Sequence, residues 1–164
     1  MEKTHLFTKK GLFERCAYAS RDNARTPAQW SAEENAGFST GTPWFHVNPN
    51  YKEINVAAAE ADPDSILNYY RAILKLRKEY KDTAIYGEYK EHLGCDKRVM
   101  VYDKIAEDGS KLTVVINLSD KPVSARRAKK FVDADAKRLI GNYKGSMADM
   151  LKPYEAHVFY TAKK

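Results

Sequence analysis

Two cysteines in 164 residues, Cys16 and Cys95, are too few for a disulfide framework, and neither stands at a metal-ligand spacing. The four histidines, His5, His46, His92 and His157, are scattered, with no HxxxH and no His–Cys pairing, so no metal site and no cofactor is expected. No apolar run approaches the roughly 18 residues that would span a bilayer, so no membrane partner is expected. The opening MEKTHLFTKKGLFERC lacks both a continuous apolar region and a small-residue cleavage site, so it does not read as a secretory signal. With free thiols suited to a reducing compartment, the chain reads as cytoplasmic. Nucleophile machinery is missing too: there is no GxSxG elbow, and neither cysteine has a histidine close in sequence. Gly11 and Gly41 stand alone, so there is no phosphate-binding loop.

What is present is an ordinary globular composition, 43% hydrophobic and 30% charged, in a chain long enough for one respectable core. The net charge of +6 and the cluster Arg126, Arg127, Lys129 and Lys130 raise the question of nucleic acid. No recognition helix, zinc finger or RNP-like aromatic motif accompanies the cluster, and a solvated basic loop is the expectation, with no nucleic-acid partner.

The stretch around which the chain is organised lies between Ser20 and Tyr51. SRDNARTPAQW (20–30) and NAGFSTGTPWFHVNPNY (35–51) are polar, punctuated by Pro27, Gly37, Gly41, Pro43 and Pro49, and are expected to form mostly loop with short turns. Irregular segments of this length inside a compact domain tend to be functional. Arg21 and Arg25 flank Asp22 and Asn23, and a guanidinium fork can hold a carboxylate or several sugar hydroxyls. Trp30, Phe38, Trp44, Phe45 and Tyr51 add flat apolar faces, the combination a carbohydrate needs for its hydroxyls and its C–H face.

These two segments, continued as KEINV, resemble the loop after the eighth barrel strand in bacterial alpha-glucosidases of the oligo-1,6-glucosidase type, in glycoside hydrolase family thirteen. Trehalose-6-phosphate hydrolases and dextran glucosidases share a similar segment. The resemblance is strong over residues 20–80 and weaker beyond. The family pattern TPMQW has methionine where this chain has Ala28, which bears on how the loop packs. The resemblance implies an α+β chain: the loop and last helix of a (β/α)8 barrel over residues 1–81, then an antiparallel β-sandwich domain over 82–164. It also implies that an arginine of the RDN motif grips the non-reducing-end glucose with an aspartate from the first barrel strand. That role falls on Arg21 or Arg25, with Arg21 favoured although nothing in the sequence decides between them. In the alternative, both arginines only brace the loop through Asp22.

The residues themselves support this layout. Leu12, Phe13, Cys16 and Ala17 recur at helical spacing, predicting a short helix over 11–19. Asp62-Pro63 reads as a helix start, and Ile66, Tyr69, Ile73, Leu76 and Tyr80 form an apolar stripe, predicting an amphipathic helix over 63–80. Leu67, Tyr70 and Leu74 flank that stripe, and the tyrosines read as core residues. Strands are predicted over 84–89, 98–104, 111–117, 137–143 and 155–161, with a hairpin turn at Glu107-Asp108-Gly109 and a half-buried third strand. Pro122 and the basic run after it suggest a long connection between the third and fourth of these.

A retaining glycosidase needs two carboxyls about 5–5.5 Å apart. In the resembling enzymes these lie on earlier barrel strands, whose motifs do not occur here. Asp22, between two arginines, reads as a salt-bridge partner, and Glu33 and Glu34 as solvated loop residues. The expectation is therefore the C-terminal piece of an alpha-glucosidase, with no catalytic residue of its own. It would contribute substrate recognition and support, with an oligosaccharide and the N-terminal barrel portion as partners, and would self-associate through an exposed apolar helix face. The alternative, from a different class, is a free-standing carbohydrate-binding or interaction module.

Overall fold

The computed structural model describes residues 8–94 and 96–163; His5 and Cys95 lie outside the described residues. The chain divides into two compact units, residues 1–68 and 69–164.

The first unit opens with helix α1 (Lys9–Ala19), whose N-terminus is capped by Thr8: its hydroxyl oxygen accepts from Gly11 N at 3.1 Å. Short 3-10 turns follow at Arg21–Ala24, Glu34–Gly37 and Pro49–Lys52, inside a segment otherwise irregular, as its Pro and Gly content predicts. Helix α2 (Val56–Ala61) is an addition to the sequence reading. VAAAEA has high intrinsic helix propensity but no apolar period to reveal it. Asn55 caps it, accepting from Ala58 N at 2.8 Å while donating to Tyr51 O at 2.8 Å. Among the described residues of this unit only Pro27, Ala36 and Asn55 are buried, so hydrogen bonds rather than an apolar core organise it.

Helix α3 (Ile66–Glu79) begins three residues later than Asp62-Pro63 predicts. Asp62 instead closes α2 and accepts from Asp64 N at 2.9 Å in a tight turn; the hydroxyl that caps α3 is Ser65, accepting from Asn68 N at 3.2 Å. Asn68 Nδ2 donates to the carbonyls of Ala59, Glu60 and Asp62 at 2.8–3.1 Å, fixing the α2–α3 corner.

The second unit is built on a five-stranded sheet in the order β1 (Glu88–His92), β2 (Val99–Ile105), β3 (Lys111–Asn117), β7 (Ala156–Thr161), β5 (Lys137–Gly141). Every pairing among the described residues is antiparallel, so helices and antiparallel strands together make the α+β class that the sequence implies. The predicted strand at 84–89 forms later: α4 (Lys81–Ala84) occupies its start, and Gly87 N still bonds back to Thr83 O at 3.1 Å before β1 begins. The long connection after Pro122 holds β4 (Val123–Ser124) and α5 (Arg126–Lys129), and β4 pairs with β6 (Met150–Leu151). The β2–β3 hairpin turns where predicted. Gly109 takes φ +85°, and Asp108 Oδ1 accepts from both Ser110 N and Ser110 Oγ.

β3 departs from the half-buried reading, with Leu112, Thr113, Val114 and Val115 all buried. As the middle strand it is covered on both faces. On one side Val101, Val115 and Phe159 pack with Val123, Ala128 and Leu151 from the two-stranded ribbon and α5. On the other, Tyr69, Ile73, Leu76 and Tyr80, from α3 and the residue after it, line a cavity with Val114 and Val158, and the Tyr80 and Tyr160 rings are 4.7 Å apart. No residue of α3 is buried, and Tyr70, which the sequence reads as core, is 62% exposed. The buried cluster on the first face removes apolar surface from water, which stabilises the sheet by roughly 25 cal/mol per Å2 of apolar surface removed.

Candidate functional site

Arg21 and Arg25 sit at the two ends of the Arg21–Ala24 turn, which starts when Ser20 Oγ accepts from Asp22 N at 3.3 Å. The turn brings Arg25 back over Asp22: Arg25 Nη1 donates to Asp22 Oδ1 at 3.4 Å, with both side chains about half exposed. Arg21 makes no hydrogen bond or ion pair with any described residue and is exposed. The two arginines are therefore unequal: Arg25 braces the loop through Asp22, whereas the Arg21 fork has its donors open to an outside acceptor.

The next part of the loop is held by backbone in a rare conformation. Asn35, Ala36 and Gly37 are consecutive left-handed residues at φ 52°, 58° and 65°. Such a run costs free energy at the two non-glycine positions and persists only where surroundings over-determine it. Here the buried Ala36 carbonyl accepts from both Trp30 N (2.9 Å) and Ser31 N (3.0 Å), while Asn35 Nδ2 donates to the carbonyls of Ser39 (3.2 Å) and Gly41 (3.3 Å). A Cβ on Gly37 would stand 2.6 Å from Ser31 Oγ, so the third position requires glycine on two grounds. Behind this turn the 29–30 backbone is tied to α2, since Gln29 O accepts from Val56 N and Trp30 O from Ala57 N. The Gln29 amide donates to Ile54 O as well.

This bracing holds Trp30 and Phe38 about half exposed and Trp44 at 87% exposure, with Trp44 and Phe45 ring centroids 4.6 Å apart. Pro27 is buried and Ala28 exposed, so the alanine in place of methionine leaves no gap in a packed interior. Glu33 and Glu34 are exposed and make no convergent pair with Asp22 through any described contact. Among the described residues there is no group of three or more His, Cys, Asp or Glu side chains that could hold a metal. No helix among them is long and apolar enough to cross a membrane. In the basic cluster, Arg127 pairs with Asp96 at 3.6 Å and Lys129 with Asp149 at 2.6 Å.

Sequence reasoning missed Asn35 and Asn55 as the residues that shape this loop. Asn35 left a trace, because asparagine followed two residues on by glycine suits a left-handed turn. Asn55 left none beyond its place before an alanine run.

Comparison with known proteins gives this arrangement a context. The family described as the alpha amylase catalytic domain matches residues 2–87. The chain is 42% identical over 153 residues to an oligo-1,6-glucosidase of Parageobacillus thermoglucosidasius, covering 90% of this chain and 27% of that protein. Its fold superposes on a trehalose-6-phosphate hydrolase of Bacillus licheniformis with TM-score 0.80 and 36% identity, covering 97% of this chain and 29% of the other. A trehalulose synthase of Pseudomonas mesoacidophila matches with TM-score 0.77 and 31% identity over 98% of this chain and 29% of its own. The chain thus spans little more than a quarter of the length of these relatives.

Proposed function

Because the chain belongs to the alpha-amylase family of glycoside hydrolases and is related to its alpha-glucosidase-type members, we propose that it supplies the substrate-recognition loop and the C-terminal β-domain of an alpha-glucosidase acting on short oligosaccharides. In this reading residues 1–81 are the end of the catalytic barrel and residues 82–164 a β-sandwich made by the five-stranded sheet and the β4–β6 ribbon. The catalytic-domain match, which ends at residue 87, is consistent with that boundary. Cleavage would be carried out by carboxyls on the N-terminal barrel portion, the partner this chain requires.

The observation that carries the proposal is the contrast between a paired Arg25 and an open Arg21 at the two ends of one 3-10 turn. A guanidinium fork whose donors are not already taken can hold sugar hydroxyls and a carboxylate together. Arg21 would hold glucose hydroxyls together with a barrel carboxylate, while Arg25 and Asp22 keep the turn in place. A free-standing module is less well supported, because the first unit has almost no apolar core of its own. The exposed thiol of Cys16 fits a reducing, cytoplasmic setting.

The test is hydrolysis of p-nitrophenyl alpha-glucoside and isomaltose by the 164-residue chain alone and by the chain co-expressed with the barrel portion of a related oligo-1,6-glucosidase. The proposal expects no turnover above the buffer blank alone and turnover in the joined enzyme. Turnover by the chain alone, lost on mutation within it, would overturn the assignment.

A further inference from the structure

The second unit contains a cavity of about 330 Å3 between α3 and the sheet face that α3 covers. Its walls are mostly apolar: Ile73 and Leu76 on the helix side, and Leu112, Val114 and Val158 on the sheet side. The cavity opens to solvent on the helix side, where Ile73 is 38% exposed and Arg77 is exposed. Its size falls at the lower end of the range for small-molecule sites.

The charges on this cavity are one-sided. Arg77 and Lys104 line it, and none of its lining residues is an aspartate or glutamate. Neither cation makes a hydrogen bond or ion pair with any described residue. Arg77 is exposed and Lys104 half-buried, and long cationic side chains of this kind can cover apolar surface with their stems while the charge stays hydrated. The phenol of Tyr69 also lines the cavity without a hydrogen bond to any described residue, and burial raises its pKa, keeping it an O–H donor. An apolar chamber with two unpaired cations, a phenol donor and no carboxylate among its lining residues suits an anion carried on an apolar body.

We infer that this cavity binds a medium-chain monocarboxylate, with its alkyl body between Ile73, Leu76 and Val114 and its carboxylate between Arg77 and Lys104. The site is distinct from the sugar-recognition loop and does not depend on the glycosidase reading. It gives the β-domain unit a ligand of its own.

Decanoate is the probe, titrated calorimetrically into the 164-residue chain, with decanol and acetate as comparisons. Saturable one-to-one binding of decanoate is expected, with decanol at least about tenfold weaker, as the loss of charge-assisted hydrogen bonds implies, and acetate weaker still. Amide shift perturbations should fall on Ile73, Leu112 and Val114. Arg77→Gln together with Lys104→Gln should weaken decanoate by a similar factor while leaving the circular dichroism spectrum unchanged. Absence of saturable binding, equal affinity for decanol, or perturbations confined to the outer helix positions Ile66 and Tyr70 would each overturn the assignment. Should the double variant not fold, the decanol comparison and the shift map on the unaltered chain still decide it.

Discussion

Arg138 Nε donates to Nδ1 of the buried His157 at 2.9 Å, which leaves Nε2 to carry the ring proton toward Glu155 Oε1, 2.8 Å away. One edge strand, β5, is thereby joined to β7 by a ring that must be neutral, since a protonated Nδ1 could not accept from arginine. Gly141 makes the arrangement possible, because a Cβ there would collide with the Arg138 guanidinium and lie 2.9 Å from His157 Nδ1.

Burial lowers the pKa of His157 below its ordinary 6.5, and Arg138 lowers it further, against the opposing pull of Glu155. The folded state therefore binds fewer protons than the unfolded state below about pH 6.5, and stability falls as the pH drops from there toward the lowered folded value. The slope from this one group should reach at most about 1.4 kcal/mol per pH unit. His157→Gln, which can still accept from Arg138 and donate to Glu155, should flatten that slope. Urea unfolding at several pH values between 5 and 7.5, chosen to bracket roughly the window in which histidine titrates, checks it; an unchanged slope in the variant would count against His157 as its source.

The buried Asp103 gathers three partners: Thr113 Oγ1 donates at 2.7 Å, His92 Nε2 lies at 2.9 Å and Lys111 Nζ at 3.9 Å. Asp103→Ala would leave the buried Thr113 hydroxyl without an acceptor and should cost about 2–4 kcal/mol in the unfolding midpoint analysis. Asp103→Asn should cost less, because its amide oxygen still accepts from Thr113. Equal losses for the two would show that the cost is not one of hydrogen bonding.

In an enzyme carrying the full barrel, Arg21→Lys should lower kcat/KM by about 10–100-fold, since an ammonium cannot fork between hydroxyls and carboxylate. Arg25→Lys should leave kcat/KM nearly intact and lower stability by no more than about 1 kcal/mol, as befits a half-exposed pair. Steady-state kinetics and thermal melts on both variants separate the roles. Activity lost with Arg25 and kept with Arg21 would reverse them.

The apolar residues of α3 divide into two faces. Tyr69, Ile73 and Leu76 line the cavity on the sheet side, Ile73 still 38% exposed, while Ile66, Tyr70 and Leu74 remain 88%, 62% and 45% exposed. Continuous apolar surface beyond a few hundred Å2 is unusual on a monomer. Sedimentation of the isolated chain should show concentration-dependent association, reduced by Ile66→Lys with Leu74→Lys without a change in melting temperature. A monomer at all concentrations would remove this face as a contact surface.

Local chemistry made much of this chain legible. The β2–β3 hairpin is written in the Asp108-Gly109 turn between two runs rich in β-branched residues, because turn geometry and strand propensity are properties of neighbouring residues. The loop from Ser20 to Tyr51 is equally plain from its proline and glycine content, as is the amphipathic character of α3. The decisions that sequence could not make are those in which two local solutions compete. Asp62 and Ser65 are both good caps, and the carbonyls gathered by Asn68 place the helix start after Ser65. α3 carries two apolar stripes, and only the sheet opposite it selects Tyr69, Ile73 and Leu76 as the inner one. β3 reads as half-buried until both of its faces are seen to be covered, which depends on strands and helices far away in the chain. Arg21 and Arg25 are chemically identical and lie four residues apart; the path of one 3-10 turn gives Asp22 to Arg25 and leaves Arg21 open. Periodicity and propensity act over a few residues, whereas burial and pairing are settled by what the rest of the chain brings to the same place.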